Sequence, residues 1–487
     1  MREACSTSVK VDPAPARRVR IGPMSTTLAA TTFQDIDPAN GEVIAEIETT
    51  PIADLPGIVA RAQAAWPAWA ALPLEERLEL LMKGCAELYS MKAEMVPMIV
   101  REMGKPEGDA DAEIEQWWLG IEGAFDEYRE AFAPEVIPFR RHRTTRYRDP
   151  LGVVAAISPW NFPMRMPIGI VQPALAAGNA VVLKPTEHAP IVGRMLHDAF
   201  AKHLPKDVIQ LVQGKGDIGA ALVKSDVDMI GFVGSRTTGE HIMAGAADGL
   251  KRLVLELGGK DPLFVMADAD LDAAAKCAVT HSLRNTGQVC CSVERVFVAD
   301  SVADEFEAKV LERVAGWRHG NGFEEGVHMG PFVSTDQRAK AHAQVEDAVA
   351  AGARLLAGGE LPGGPGAFYP ATVVADAPAD CSLTTDETFG PVVALYRFDG
   401  SEDEAVRLAH ESEYGLAANI YTQDEDAAGR LAKRLRFGQI GINRYISSAP
   451  GSPWVGARKS GFGFLHGIEG HRQFTVPKSV TDSNPDA

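Results

Sequence analysis

Apolar residues between Ile58 and Leu88 recur at helical spacing: Ile58, Ala62, Ala65, Trp66 and Trp69, then Leu78, Leu81 and Leu88. From Leu151 the pattern changes to short, mostly apolar runs. These are Leu151–Ile157, Ala180–Leu183, Val208–Val212, Met229–Val233 and Arg252–Leu257, and each reads as a buried strand. Helical patterns such as Ile191–His203 and Ile218–Val223 lie between them. Strand, helix and strand repeated at this spacing predict an α/β fold with right-handed crossovers in a parallel sheet. A second α/β series runs from Pro262 to about Arg436, with strands predicted at Arg295–Val298, Tyr396–Phe398 and Asn419–Tyr421. Two segments fit neither series. Val136–Arg148 is polar and basic with β-prone residues, and Phe474–Val480 is a short strand candidate. Either suits an arm that pairs with another subunit.

The 487 residues correspond to about three domains. A composition of 46% hydrophobic and 23% charged residues excludes a mostly disordered or fibrous chain. No run approaches the ~18 apolar residues of a membrane-spanning helix, so no membrane partner is expected. The formal net charge of −18 repels phosphate backbones and argues against a nucleic-acid partner. Cys5, Cys85, Cys277, Cys290, Cys291 and Cys381 form no CxxC pair and no zinc-spaced cluster. No metal is expected, and the pattern suits a reducing cytoplasm. The first two dozen residues differ from the rest. Met1 to Pro23 is basic but lacks the apolar core of a secretory signal, and its acids and prolines do not suit a mitochondrial presequence. Residues 1–30 read as a disordered tail, or as sequence upstream of a start at Met24.

The strongest nucleophile candidate is Asn285-Thr-Gly-Gln-Val-Cys290-Cys291. A thiolate there can attack a carbonyl, and the glycine lets backbone amides approach. Taken alone, such a cysteine is more often a small buried hydrophobe, and Cys5, Cys85, Cys277 and Cys381 read as structural. In Leu255-Glu256-Leu257-Gly258-Gly259-Lys260 an acid ends an apolar strand. Its burial costs free energy unless the carboxylate has a task or a partner, although it could simply cap the next segment. In Ser158-Pro-Trp160-Asn161-Phe162-Pro163 two prolines stiffen a loop at a strand's C-terminal end, where open α/β sheets bind ligands. The Asn161 amide held there suits an oxyanion; the plain alternative is a turn. Phe232-Val-Gly234-Ser235-Arg-Thr-Thr-Gly239 runs from strand to helix through glycine, a phosphate-binding geometry. Lys184-Pro-Thr-Glu187 offers a cation and a carboxylate at the same sheet edge, and Glu387-Thr-Phe389-Gly-Pro a carboxylate and a ring.

These motifs, in this order, resemble the aldehyde dehydrogenase superfamily over nearly the whole chain, from about Thr32 to Val480. The separations of 34 residues from Glu256 to Cys290 and 97 from Cys290 to Glu387 match its hydrolytic members. The resemblance implies a Rossmann-like NAD-binding domain from 31–131 and 151–258 and an α/β catalytic domain from 259–473. It implies an oligomerisation arm from 132–150 and 474–487, in a homodimer or homotetramer. It also implies a mechanism. Cys290 attacks an aldehyde, Asn161 and the Cys290 N–H hold the oxyanion, and Glu256 activates the water that hydrolyses the thioester. Trp160, Lys184, Glu187, Gly234, Ser235, Gly239, Glu387 and Phe389 would bind NAD.

The chain also departs from the family. Ile170 stands where many members have a proton-relay lysine, and Leu465, next to His466, stands where they have the relay's distal glutamate. Arg284 occupies the position at which succinate semialdehyde dehydrogenases carry an arginine for the substrate carboxylate, and Arg165 could face the same funnel. The second arginine of that subgroup falls at Gly169. A semialdehyde such as succinate semialdehyde is therefore one expected substrate. An aryl aldehyde is the other, since Gly169 would leave room for a ring and Phe162 and Trp454 could pack on it. A CoA-acylating enzyme would usually lack the glutamate at 256. A non-catalytic protein on the same fold would have lost Cys290, Asn161 or Glu256.

Overall fold

Five of the apolar runs assemble into one parallel sheet, in the order Ile209–Leu211, Ala180–Lys184, Val153–Ile157, Met229–Val233, Arg252–Glu256. The short strand Gly461–Phe462 adds antiparallel at the far edge. The first three strands in sequence step outward one way and the next two the other way, so the chain reverses direction between Val153–Ile157 and Met229–Val233. Every residue of Val153–Ile157, Ala180–Lys184 and Met229–Val233 is buried, as a sheet covered on both faces requires. The crossover helix Arg165–Ala176 seats Ile170 against Gly231, where a Cβ would come within 2.6 Å of the Ile170 side chain. This computed structural model describes residues 31–139, 142–447 and 449–483. The tail expected over residues 1–30 lies outside them.

A second, seven-stranded sheet is parallel except at one edge. Its order is Arg354–Ala357, Thr372–Ala375, Val392–Phe398, Val293–Ala299, Asp261–Val265, Ala417–Tyr421, Gln439–Ile442. Arg252–Glu256 of the first sheet and Asp261–Val265, an interior strand of the second, are joined by only four residues, Leu257 to Lys260. A three-stranded antiparallel sheet stands apart, with His142–Pro150 between Glu135–Phe139 and Thr475–Asp482. The helical pattern from Ile58 to Leu88 is two helices, Leu55–Ala70 and Leu74–Ser90. They break at Leu72-Pro73, because proline disfavours helical backbone in the residue before it. Among the described residues no helix is long and apolar enough to cross a membrane, and no cluster of acidic, histidine or cysteine side chains could hold a metal.

Candidate active site

The point where strand order reverses is where an open α/β sheet forms a crevice. Ser158 to Phe162 leave the strand on one side of it, and Gly234 and Ser235 leave the strand on the other. Ser235 caps the helix Arg236–Ala246, its hydroxyl accepting from the Thr238 amide at 3.3 Å. The first helical amides therefore face a cleft of about 1250 Å³. Trp160, Asn161, Lys184, Glu187, Gly234, Ser235, Glu256, Cys290, Glu387 and Phe389 all line this one cleft. The Trp160 ring meets Phe389 edge-on, with centroids 5.4 Å apart. Lys184, almost fully buried, lies 3.7 Å from Glu187 and donates to the Pro185 carbonyl.

The Gly258-Gly259 junction brings the chemistry together. A Cβ on Gly258 would stand 2.3 Å from a Glu387 carboxylate oxygen, and one on Gly259 would stand 2.6 Å from the Cys290 carbonyl. Only glycine permits that approach. The Gly259 amide donates to Glu387 Oε1 at 3.0 Å. Ahead of Cys290 the backbone takes three successive left-handed residues, Asn285, Thr286 and Gly287, with φ of 54°, 60° and 69°. Such strain persists where surroundings over-determine it. Asn285 Nδ2 donates to the Asn161 and Gln288 carbonyls, the Thr286 hydroxyl to the Gly330 carbonyl, and the Val333 amide to Gln288 Oε1. Asn161 Nδ2 donates to the Gln288 carbonyl at 3.1 Å, which leaves its second N–H free.

Electrostatically the cleft floor is a place where charge is suppressed. Glu256 is 4% exposed and neither of its oxygens has a hydrogen-bond partner. Burial pushes its pKa well up, and the nearby Trp454 indole, which makes no hydrogen bond of good geometry to it, offsets little of that. Glu387 is pushed up to about 8, first by burial and then by Glu294, against the Gly259 amide and Lys260. The neighbouring Cys291 thiol, burial, and the Glu256 and Asp261 carboxyl groups push the Cys290 thiol up. Cys291 does not line the cleft. Tyr445 Oη donates to the Cys291 carbonyl at 2.7 Å and lies 3.1 Å from its sulfur.

Not every expected site residue lies in the cleft. Gly239 does not line it. It is a buried helical residue whose Cβ would meet Leu257 Cδ2 at 2.6 Å, so it lets the helix close on the strand end that carries Glu256. Phe162, Arg165, Arg284 and Trp454 also lie outside the cleft. Trp454 packs in the apolar cluster with Cys290, Cys291, Tyr445 and Ile446. The Phe162 ring sits 4.1 Å from the Lys105 ammonium. Arg165 opens its helix with a half-buried guanidinium in no hydrogen bond or ion pair among the described residues. Arg284 is 3.9 Å from Asp109 with its side chain 41% exposed. The room expected at Gly169 is taken: a Cβ there would stand 3.1 Å from His466 Cε1. Ile170 and Leu465 are buried packing residues in the same apolar core. The residues unforeseen from sequence are the buried pairs Lys105–Glu113 and Lys260–Glu294, whose partners meet only in the fold. Their one local signal is a lysine next to glycine in Gly104-Lys105-Pro106 and Gly258-Gly259-Lys260.

Comparison with known proteins agrees with this geometry. Residues 25–480 match the aldehyde dehydrogenase family. A Sinorhizobium fredii protein named "probable succinate-semialdehyde dehydrogenase, NADP(+)" is 36% identical over 90% of each chain. The crystal structure of succinate-semialdehyde dehydrogenase from Burkholderia pseudomallei superimposes with a TM-score of 0.89 at 34% identity, over 93% of this chain and 95% of that one. Betaine aldehyde dehydrogenase from Staphylococcus aureus, in complex with NAD+, gives 0.88 at 30% identity, over 93% and 92%. The chain belongs to the aldehyde dehydrogenase family. It is an NAD(P)-dependent oxidoreductase acting on an aldehyde.

Proposed function

We propose that the protein oxidises a semialdehyde to a dicarboxylic acid, with Cys290 as nucleophile, Asn161 as oxyanion donor and Glu256 as general base. The observation that carries this reading is the meeting of these three residues in one cleft, from three distant stretches of sequence. Cys290 gives its thiol proton to solvent water, Sγ bonds to the aldehyde carbon, and the C=O π bond opens so that the carbonyl oxygen becomes an alkoxide. The free Asn161 N–H and the Cys290 amide stabilise that alkoxide, at roughly 3 kcal/mol for one such donor. The cleft fits a dinucleotide, since Ser235 and the helix start at its floor suit a pyrophosphate. Trp160, Lys184, Glu187, Gly234, Ser235, Glu387 and Phe389 would hold it. When bound, it supplies the hydride acceptor. Loss of hydride leaves a thioester on Cys290. Glu256 then takes a proton from water as the water oxygen attacks the thioester carbon; the C–S bond breaks, sulfur leaves as the thiolate, and the proton held by Glu256 passes to it to restore the thiol and the carboxylate. A carboxylate whose pKa burial raises is a stronger base toward water than a solvated one.

Arg165 supports a carboxylate at the far end of the substrate. An unpaired, half-buried guanidinium is ready for a two-pronged grip on an anion. One curated relative and one matching structure bear the name of a succinate-semialdehyde enzyme. The aryl reading loses its main support because His466 fills the space at Gly169. We also read NAD as the preferred cofactor. Glu187 would meet a 2′-phosphate as a like charge, and Lys184 is already engaged by Glu187. The three-stranded sheet exposes Val136, Ile137, Tyr147 and Val480, which supports a homodimer or homotetramer built on it. Residues 31–131 with 151–258, and 259–473, serve as the cofactor and catalytic domains, and the free thiols suit the cytoplasm. An aldehyde panel followed by NADH absorbance tests the substrate reading. Succinate semialdehyde should exceed benzaldehyde in kcat/KM, and the reverse order would discard it.

A further inference from the structure

Two buried lysine–glutamate pairs support loops that reach the cleft, and they are built alike. Lys105 Nζ lies 2.6 Å from Glu113 Oε2, with the side chains 1% and 0% exposed. Glu113 Oε1 accepts two successive backbone amides, Met164 at 3.0 Å and Arg165 at 2.9 Å. In the second pair Lys260 Nζ lies 2.7 Å from Glu294 Oε2. Glu294 also takes two successive amides, Thr388 at 2.8 Å and Phe389 at 3.0 Å, while Lys260 donates to the Thr388 hydroxyl at 2.9 Å. None of the four side chains lines the cleft.

Each glutamate holds the backbone just beyond a residue of the site: Met164 follows Asn161 by three residues, and Thr388 follows Glu387 directly. A buried ion pair is weak evidence for stability, since apolar packing often serves as well. A carboxylate does what apolar packing cannot, accepting several amide protons at once in fixed directions. The lysine neutralises it without competing for those amides. We propose that Lys105–Glu113 and Lys260–Glu294 are paired positioning residues, the first setting the Asn161 loop for the oxyanion and the second setting the Glu387–Phe389 loop for the cofactor.

This rests on the reading of Asn161 and Glu387 given above, so N161A is the reference variant. The charge-neutral doubles K105M/E113Q and K260M/E294Q are compared with it for Tm, NAD affinity by fluorescence, kcat, and alkylation of Cys290 by iodoacetamide without cofactor. K105M/E113Q should lower kcat about a hundredfold, as a small displacement of a catalytic loop does, with NAD affinity kept within about twofold. K260M/E294Q should weaken NAD binding about tenfold and leave alkylation unchanged, a loss expected if a fixed loop is no longer prepaid. Wild-type kinetics in either double, or a parallel fall of every parameter in both, overturns the proposal. Should a double fail to fold, Glu113→Asp and Glu294→Asp keep the charge and withdraw the carboxylate by one methylene. The same split is then expected, and a parallel loss overturns it. Undiminished kcat in N161A would count against the role of Asn161 instead, and the Glu294 arm would still decide the pairs.

Discussion

Two regions of the molecule suppress charge of opposite sign. On the cofactor side, burial pushes acids up: Glu256 well above its ordinary value and Glu387 to about 8. On the other side, imidazoles are pushed down. Burial, then Arg284, takes His281 to about 4, and burial, then Arg165 and His471, takes His466 to about 4. Raised by burial, these carboxyl groups bind a proton more tightly than solvated ones and so make stronger bases when ionised. The neutral imidazoles in the second region leave Arg165 and Arg284 as the standing charges. One region is thus prepared to move a proton, the other to hold an anion.

The largest effect should come at the thiol. Cys290→Ala should bring NADH formation to background while leaving NAD binding intact, and Cys291→Ala, whose sulfur is held by Tyr445, should keep most activity. A dead Cys291→Ala with an active Cys290→Ala would invert the assignment. On the anion-holding side, Arg165→Ala should raise KM for succinate semialdehyde roughly a hundredfold, a few kcal/mol for an orphaned carboxylate. KM for an uncharged aldehyde of similar length should stay within about twofold. Arg284→Ala should do less, because its side chain is 41% exposed and shared with Asp109. Equal shifts for both aldehydes would dissolve the contrast between the faces.

The two sides should also differ in pH dependence. Below the raised pKa of Glu256 the carboxyl group is protonated and cannot accept from water, so the steady-state rate should rise with pH and Glu256→Gln should lose that rise. The semialdehyde KM should stay flat between about pH 6 and 8, because His281 and His466 titrate near 4, below that window. A KM that follows a histidine titration there would show that the imidazoles take part. The smallest effect is expected at Glu187. NAD should be preferred over NADP in kcat/KM, and Glu187→Gln should narrow the ratio about tenfold. A wild-type preference for NADP would overturn the cofactor reading.

What sequence revealed follows from what is local. Met229–Val233 is a strand over the residues expected, because a fully buried strand is apolar at every position. Arg295–Val298 grew to Val293–Ala299, because Glu294 is buried in the strand by Lys260 and two loop amides that no local pattern announces. Glu256, Asn161 and Cys290 stood out as polar or reactive groups among apolar and glycine neighbours. Gly239 misled, since a glycine near a phosphate loop looks the same whether an amide or a leucine must approach it. His466 against Gly169, like both lysine–glutamate pairs, joins residues far apart in sequence and appears only once the chain is folded.

The central claim is that substrate carbon becomes bonded to Cys290 and that Glu256 releases it. Glu256→Gln, mixed with NAD and succinate semialdehyde, quenched after the first NADH burst and digested, reports this directly by peptide mass. The account predicts a succinyl mass increment on the peptide containing Cys290, localised by fragmentation to Cys290, and a burst followed by slow turnover. An unmodified peptide after a full burst, or the increment on Cys291, would contradict it.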